Sequence, residues 1–539
     1  MPRSPASRLI RRLSLVVVLG AAVVLFWPER PVPAAPTADA SAAADGHKFV
    51  LRMAAPQSYL PGSLPQGVGQ PLQGLARVVA DFEARFPDTR VEIIAVPIER
   101  EFLVTQLSGG AAPDIVCVNV EDVWVDVQKH WYVPLDRYLE QPNPFVVAKG
   151  DPRAPGTRQW WDMFAYQAIT RGKAAPDGRN YCISLDMVET GIFYNKTLFA
   201  AHGLRPPETW SEFLVLLQRA KELGLTPLLT NVDCLADWGA DLVFDQFYRE
   251  LLPGIDVKKD DPVRAAYLQG YLDPEELAFL QRQGFFTRRD PRYVEVWRKL
   301  GELRPYLTKD INNQDFVREF VTQQAAMIWN GSWFVYRLHA DKQLGFDWGV
   351  FYLPPMFPAD SPYASGLPMC VIGGVGNQLE VTNSALSDTD PALPFAERMA
   401  RSERLQRVVA LLQFICLPEN TDRIVNEFEA FVPNIVGVPA RPQLDPFVEI
   451  LKRRYTTTKW TYSFDLRFTD ILKRTLHLYL TGAITLDEFM RWQEGNIATA
   501  SGNFVQRMNF DFAPLQQEWD RMAPVRAGFR DLPTPPPAR

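Results

Sequence analysis

Between residues 48 and 120 the hydrophobic period of the chain changes four times, and that alternation limits the fold more than any other feature. Lys48–Met53 is a short β-type run. Over Pro71–Phe86 the residues Leu75, Val78, Val79, Phe82 and Phe86 recur at helical spacing, and Pro87 ends the pattern. Val91–Val96 reads as a strand, Ile98–Leu107 as a helix stopped at Gly109-Gly110, and Asp114–Val120 as a nearly continuous apolar strand. The order β-α-β-α-β predicts a parallel sheet covered by helices, since neighbouring parallel strands need a crossover long enough to hold one. In such sheets ligands bind beyond the carboxyl ends of the strands.

The stretch 181–224 repeats the logic at higher resolution. Ile192, Phe193 and Tyr194 are β-formers, and the apolar signal stops at Asn195-Lys196. A helical turn over Thr197–His202 ends at Gly203, and Pro206-Pro207 keeps the chain extended. Thr209 and Glu212 have the spacing of a capping box for a helix with Trp210, Phe213, Leu214, Leu217 and Ala220 on one face, stopped at Gly224.

Elsewhere the text is less regular. Residues 136–179 read as an elaborated loop with a short helix, and 237–306 as helices broken by Pro253, Pro262, Pro274 and Pro291. Gly345–Leu353 is a strand. Leu379–Arg404 is polar and reads as an insertion before an amphipathic helix over Arg401–Cys416. From 418 to 529 the pattern is helical, and 531–539 reads as a disordered tail. No internal repeat is visible.

A 539-residue chain that is 47% hydrophobic has material for more than one core. Its net charge of −6 argues against a polyanion partner such as nucleic acid. Residues 1–47 read as an export leader and linker: Arg3, Arg8, Arg11 and Arg12 precede an apolar run from Leu13 to Trp27, then an Ala/Pro-rich stretch. The mature chain is expected to start between Ala35 and Ser41, with retention of the leader as a membrane anchor as the alternative. The five cysteines form no CxxC and no spacing with the five histidines that suits a metal, so neither a metal nor a cofactor is expected. No nucleophile elbow, zinc-protease or Walker motif is present. Glu121, Asp122, Asp186 and Glu189 supply carboxylates from which a glycosidase pair can be drawn, which keeps an enzyme as the alternative reading.

Three segments carry a family resemblance. The strand into Tyr194-Asn195-Lys196, with the Gly-Leu, Pro-Pro-x-Thr-Trp and Glu-Phe that follow, resembles extracellular solute-binding proteins of the family that includes maltose-binding protein, the receptors of sugar ABC importers. Gln324–Trp333 is similar to that family's "AAM-x-x-x-G-x-W" segment, and Gly109–Val116 to a third. The resemblance implies a two-lobed periplasmic-binding-protein fold, type II-like, with discontinuous lobes: 48–184 plus 367–430, and 185–366 plus 431–530. Crossings are expected near Ser184, near Gly366 and within 425–440. The lipid-anchor cysteine common in the family is missing after the apolar run.

The implied function is capture of a solute, most simply a carbohydrate, by hinge closure of a periplasmic monomer, and its delivery to ABC permease subunits. A carbohydrate receptor with no role in transport stands beside the glycosidase as an alternative. Sugar hydroxyls suit carboxylates and amides, while sugar C–H faces suit aromatic rings. On that basis Asn119, Glu121, Asp122 and Trp124 are expected first-lobe contacts, and Tyr59, with Gln57 and Ser58, a further one. Asp186 and Glu189 fall at the first crossing, where second-lobe contacts begin, and Trp333 takes the place of the family's stacking tryptophan. Cys182 and Cys370 lie in crossing segments that run side by side in the family, which leaves a bridge between them open.

Overall fold

In the computed structural model the described residues are 46–67, 69–95, 100–119, 123, 126–167, 175, 177–260, 272–308, 311, 317–371, 373–452 and 466–535. The chain divides into a small unit, Met1–Val50 with Pro87–Arg90, and a large one, Leu51–Phe86 with Val91–Arg539. In the small unit the Phe49 amide donates to the Asp88 carbonyl at 3.0 Å.

The strands in chain order are β1 (Phe49–Ala54), β2 (Thr89–Ile94), β3 (Ile115–Val116), β4 (Cys182–Ser184), β5 (Asp186–Val188), β6 (Thr190–Asn195), β7 (Thr226–Leu229), β8 (Ala325–Gly331), β9 (Trp348–Phe351), β10 (Gly374–Val375), β11 (Gln378–Val381) and β12 (Val432–Pro433). They form a five-stranded sheet in the order β2-β1-β3-β11-β4, a four-stranded sheet in the order β7-β8-β6-β9, and a three-stranded sheet in the order β10-β5-β12. β1 runs parallel to β3 with Met53 opposite Ile115, as the alternation at 48–120 requires. β7 runs parallel to β8, with Leu228 opposite Met327. β6 is antiparallel to β8, with Thr190 opposite Gly331, and β5 pairs antiparallel with both β10 and β12.

Between them β4, β5 and β6 take one short run of chain through all three sheets. The four-stranded sheet is covered on both faces, so its strands are largely apolar: Ile192, Met327 and Trp329 pack into one cluster, Phe193, Ile328 and Leu229 into another. Every residue of β8 is buried. The helices Leu466–Thr481 and Leu486–Met508 extend the first cluster, where Phe489 stacks on Tyr479 at 5.4 Å and meets Trp297 edge-on at 5.1 Å.

Several local expectations need correction. Thr209 caps the helix Trp210–Glu222 by accepting from the Glu212 amide at 3.2 Å, but the Glu212 carboxylate accepts from the Glu208 amide at 2.8 Å, so the capping box is not reciprocal. Leu216, not Leu214, completes that helix's buried face. The segment read as a polar insertion from Leu379 begins within β11, which lies between β3 and β4 in the five-stranded sheet. Its Glu380 misled the pattern; the side chain is buried and accepts from the Val118 amide at 3.1 Å. The tail is held over its first residues, with Arg292 donating to the Arg530 and Asp531 carbonyls at 3.1 Å. Cys182 and Cys370 are both buried and no disulfide joins them.

Candidate functional site

The parallel pairs place their carboxyl ends at defined sheet edges, and the chain leaving β1, β3, β7 and β8 carries the candidate residues. At the five-stranded edge, Tyr59 follows β1 and Asn119 follows β3. Asn119 is exposed and accepts from Gln378 Nε2 at 3.3 Å, at the start of β11. Glu121, Asp122 and Trp124 lie outside the described residues.

The three-stranded sheet joins this edge to the four-stranded one, and two carboxylates organise it. Asp186, at the start of β5, is 0% exposed. It accepts from the Asn377 amide at 2.8 Å, from Asn377 Nδ2 at 2.6 Å and from the Tyr59 hydroxyl. Ser58 Oγ donates to Asn377 Oδ1 at 2.8 Å and closes the cluster. Gly376 permits the approach: a methyl group there would stand 2.2 Å from Asp186 Oδ1. Burial pushes the Asp186 carboxyl up to about 6, while the bonds from Tyr59 and Asn377 favour its charged form and limit the rise. Burial, and then the neighbouring Asp186, push the Tyr59 hydroxyl well up.

Glu189, just past β5, is also 0% exposed. Both of its carboxylate oxygens lie 3.2 Å from the Gly373 amide, and one accepts from the Thr190 amide at 2.7 Å and from the Tyr352 hydroxyl at 3.3 Å. The two carboxylates thus hold amides on either side of β10. Asn434 ties in the third segment, its amide donating to Leu185 O at 2.7 Å and its Nδ2 to Ser184 O at 3.0 Å. The sequence placed Tyr59, Asp186 and Glu189 against a solute; the structure joins Tyr59 to Asp186 and encloses both carboxylates. A glycosidase acid or nucleophile has to reach its substrate, which Asp186 and Glu189 as placed here do not.

Trp333 sits at the end of the four-stranded sheet, two residues past β8. It is half-buried, and its ring meets Trp238 edge-to-face with centroids 5.4 Å apart at 68°. Trp238 was missed by sequence reasoning. It lies on a π-helical turn, Leu235–Gly239, that follows β7 through a short helix capped by Asn231, whose Oδ1 accepts from the Cys234 amide at 2.8 Å. Such turns cluster at functional sites but leave no sequence pattern of their own. Among the described residues no group of three His, Cys, Asp or Glu side chains is placed to hold a metal, and no helix is long and apolar enough to cross a membrane.

The sequence profile of the bacterial extracellular solute-binding proteins matches residues 68–372. The multiple sugar-binding protein of Streptococcus mutans is 25% identical over 157 residues, 28% of this chain and 32% of that protein. The match thus spans about a third of that relative's length. A solved chitin oligosaccharide binding protein superposes with a TM-score of 0.57 at 17% identity, covering 85% of this chain and 99% of its own. The maltose-maltodextrin binding protein of Alicyclobacillus acidocaldarius does so with a TM-score of 0.53 at 17% identity, covering 84% and 99%. The fold is therefore the two-lobed α/β fold of solute-binding proteins, and neither the profile nor these neighbours is an enzyme. With more than half of its length inside the profile, this chain belongs to the bacterial extracellular solute-binding protein family.

Proposed function

We propose that the protein captures a carbohydrate between the carboxyl edges of its five- and four-stranded sheets, and that the closed form hands it to an ABC importer. The observation that carries this reading is the Trp333–Trp238 pair at the end of β8: indole surface left half-buried at a strand terminus is suited to the C–H face of a sugar ring. The sugar-binding relative and the oligosaccharide-binding neighbours support the ligand class. On this reading Asn119, Glu121, Asp122 and Trp124 meet the solute from the first lobe, and Trp333 with Trp238 from the second. Tyr59, Asp186 and Glu189 act on the hinge, through the segments that β5, β10 and β12 bring together. The lobes are proposed as 48–184 plus 367–430 and 185–366 plus 431–530. Export past residues 1–47, an extracytoplasmic monomer and permease subunits as partners complete the proposal.

Thermal melting and small-angle scattering with raffinose, maltotriose and chitotriose test it. Closure on a bridging ligand compacts the particle, and linkage adds about 2.7 kcal/mol of stability at a hundredfold excess over the dissociation constant. The sugar is expected to be recovered intact. Its slow conversion, abolished by Glu121→Gln or Asp122→Asn, would instead establish a glycosidase.

A further inference from the structure

A glycine inside a strand lowers stability and calls for a reason. Gly331, the last residue of β8, has no left-handed φ, so its backbone conformation is open to any residue. The reason is space. A methyl group at 331 would stand 2.1, 2.2 and 2.4 Å from Cζ3, Cη2 and Cε3 of Trp333. The six-membered ring of that indole therefore lies directly against the bare backbone of residue 331, with Trp238 braced edge-on against it.

A second observation converges on the same strand end. Thr190 is the register partner of Gly331 across β6 and β8, and Ser332 is its neighbour in sequence. The Thr190 Oγ1 and Ser332 Oγ hydroxyls are both buried with no hydrogen-bond partner among the described residues. Buried hydroxyls in folded proteins nearly always have one. Both hydroxyls are enclosed at the strand end, while the half-buried indole of Trp333 keeps surface for the C–H face of a ring.

We infer that Gly331 is a positioning residue for the solute site: by leaving its backbone bare it seats the Trp333 indole flat at the end of β8, fixing the platform that favours ring-bearing polyols over acyclic ones. The inference deepens the carbohydrate reading and rests on it for the ligand class. Its seating part is independent of any ligand.

The test uses Gly331→Ala, Trp333→Ala and the double variant of the full exported chain, with raffinose as the ring-bearing probe and sorbitol as the acyclic one. Near-ultraviolet circular dichroism without ligand reports the Trp238–Trp333 pair, and calorimetry reports binding. Gly331→Ala is expected to change the circular dichroism as Trp333→Ala does and to weaken raffinose binding at least about tenfold. In the Trp333→Ala background, where nothing obstructs a methyl group, it is expected to cost no further affinity, because the two residues act as one unit. Wild-type protein is expected to bind sorbitol more weakly than raffinose, with that preference reduced in Gly331→Ala. Unchanged circular dichroism with raffinose affinity retained overturns the seating, as does an equal loss in both backgrounds. A changed spectrum with no binding of raffinose, maltotriose or chitotriose by the wild type leaves the seating supported and overturns the carbohydrate reading instead.

Discussion

Asp186 and Trp333 both looked like solute contacts, and the structure treats them in opposite ways. Asp186 has two Asn377 donors and the Tyr59 hydroxyl on its carboxylate and no exposed surface. Trp333 has an aromatic neighbour on one side and remains half-buried. A carboxylate saturated by protein donors holds segments together; an indole with surface to spare can hold something else. The type of residue indicates a chemistry, while the satisfaction of its bonding capacity indicates whether that chemistry is already used.

The largest effect is expected of Asp186→Ala. It removes the acceptor of buried donors from Tyr59 and Asn377, each worth about 1–3 kcal/mol when orphaned, so a loss of roughly 3 kcal/mol in denaturant unfolding is expected. A loss below about 1 kcal/mol would return Asp186 to the candidate solute contacts. Trp333→Ala should show the reverse profile, a loss of about 1–3 kcal/mol in solute binding with little change in melting temperature. If melting drops steeply and affinity holds, Trp333 belongs to the core.

Thr209→Ala serves as a calibration at a helix cap. Loss of a helix cap should cost about 1 kcal/mol of stability and leave binding untouched. The gentlest effect is a slope. Burial raises the Asp186 carboxyl to about 6, above the roughly 3.9 of an unfolded aspartate, so the folded state binds the proton more tightly. The resulting stability is fully present below about pH 4 and is lost as pH rises through about 6. Asp186→Asn should therefore lose less stability than wild type across that window in parallel urea titrations. Matching slopes would mean that the carboxyl titrates as an exposed one.

Much of the local structure was legible because it is written by neighbours in sequence. The periodicity of Gly74–Arg85, the β-formers of β6 and the cap at Thr209 each depend on residues within one or two turns of one another. β11 was hidden because its alternation lasts only four residues and Gln378 and Glu380 read as a solvated face, whereas all four residues are buried. Trp238 was hidden because a π-helical turn has no signature. The resemblance around 324–333 located Trp333, but its neighbour had to be supplied by the parallel pairing of β7 with β8.

By itself, then, the sequence determined the alternating α/β units, the helices that cover their sheet and the resemblance to a solute-binding family. The tertiary structure alone decided that Asp186 meets Asn377, 191 residues away, and that Glu189 holds the Gly373 amide. The physical reason is range. Backbone conformation answers to side chains a few positions off, whereas the partner of a buried carboxylate is whichever donor the fold carries to it, and no local pattern records that choice.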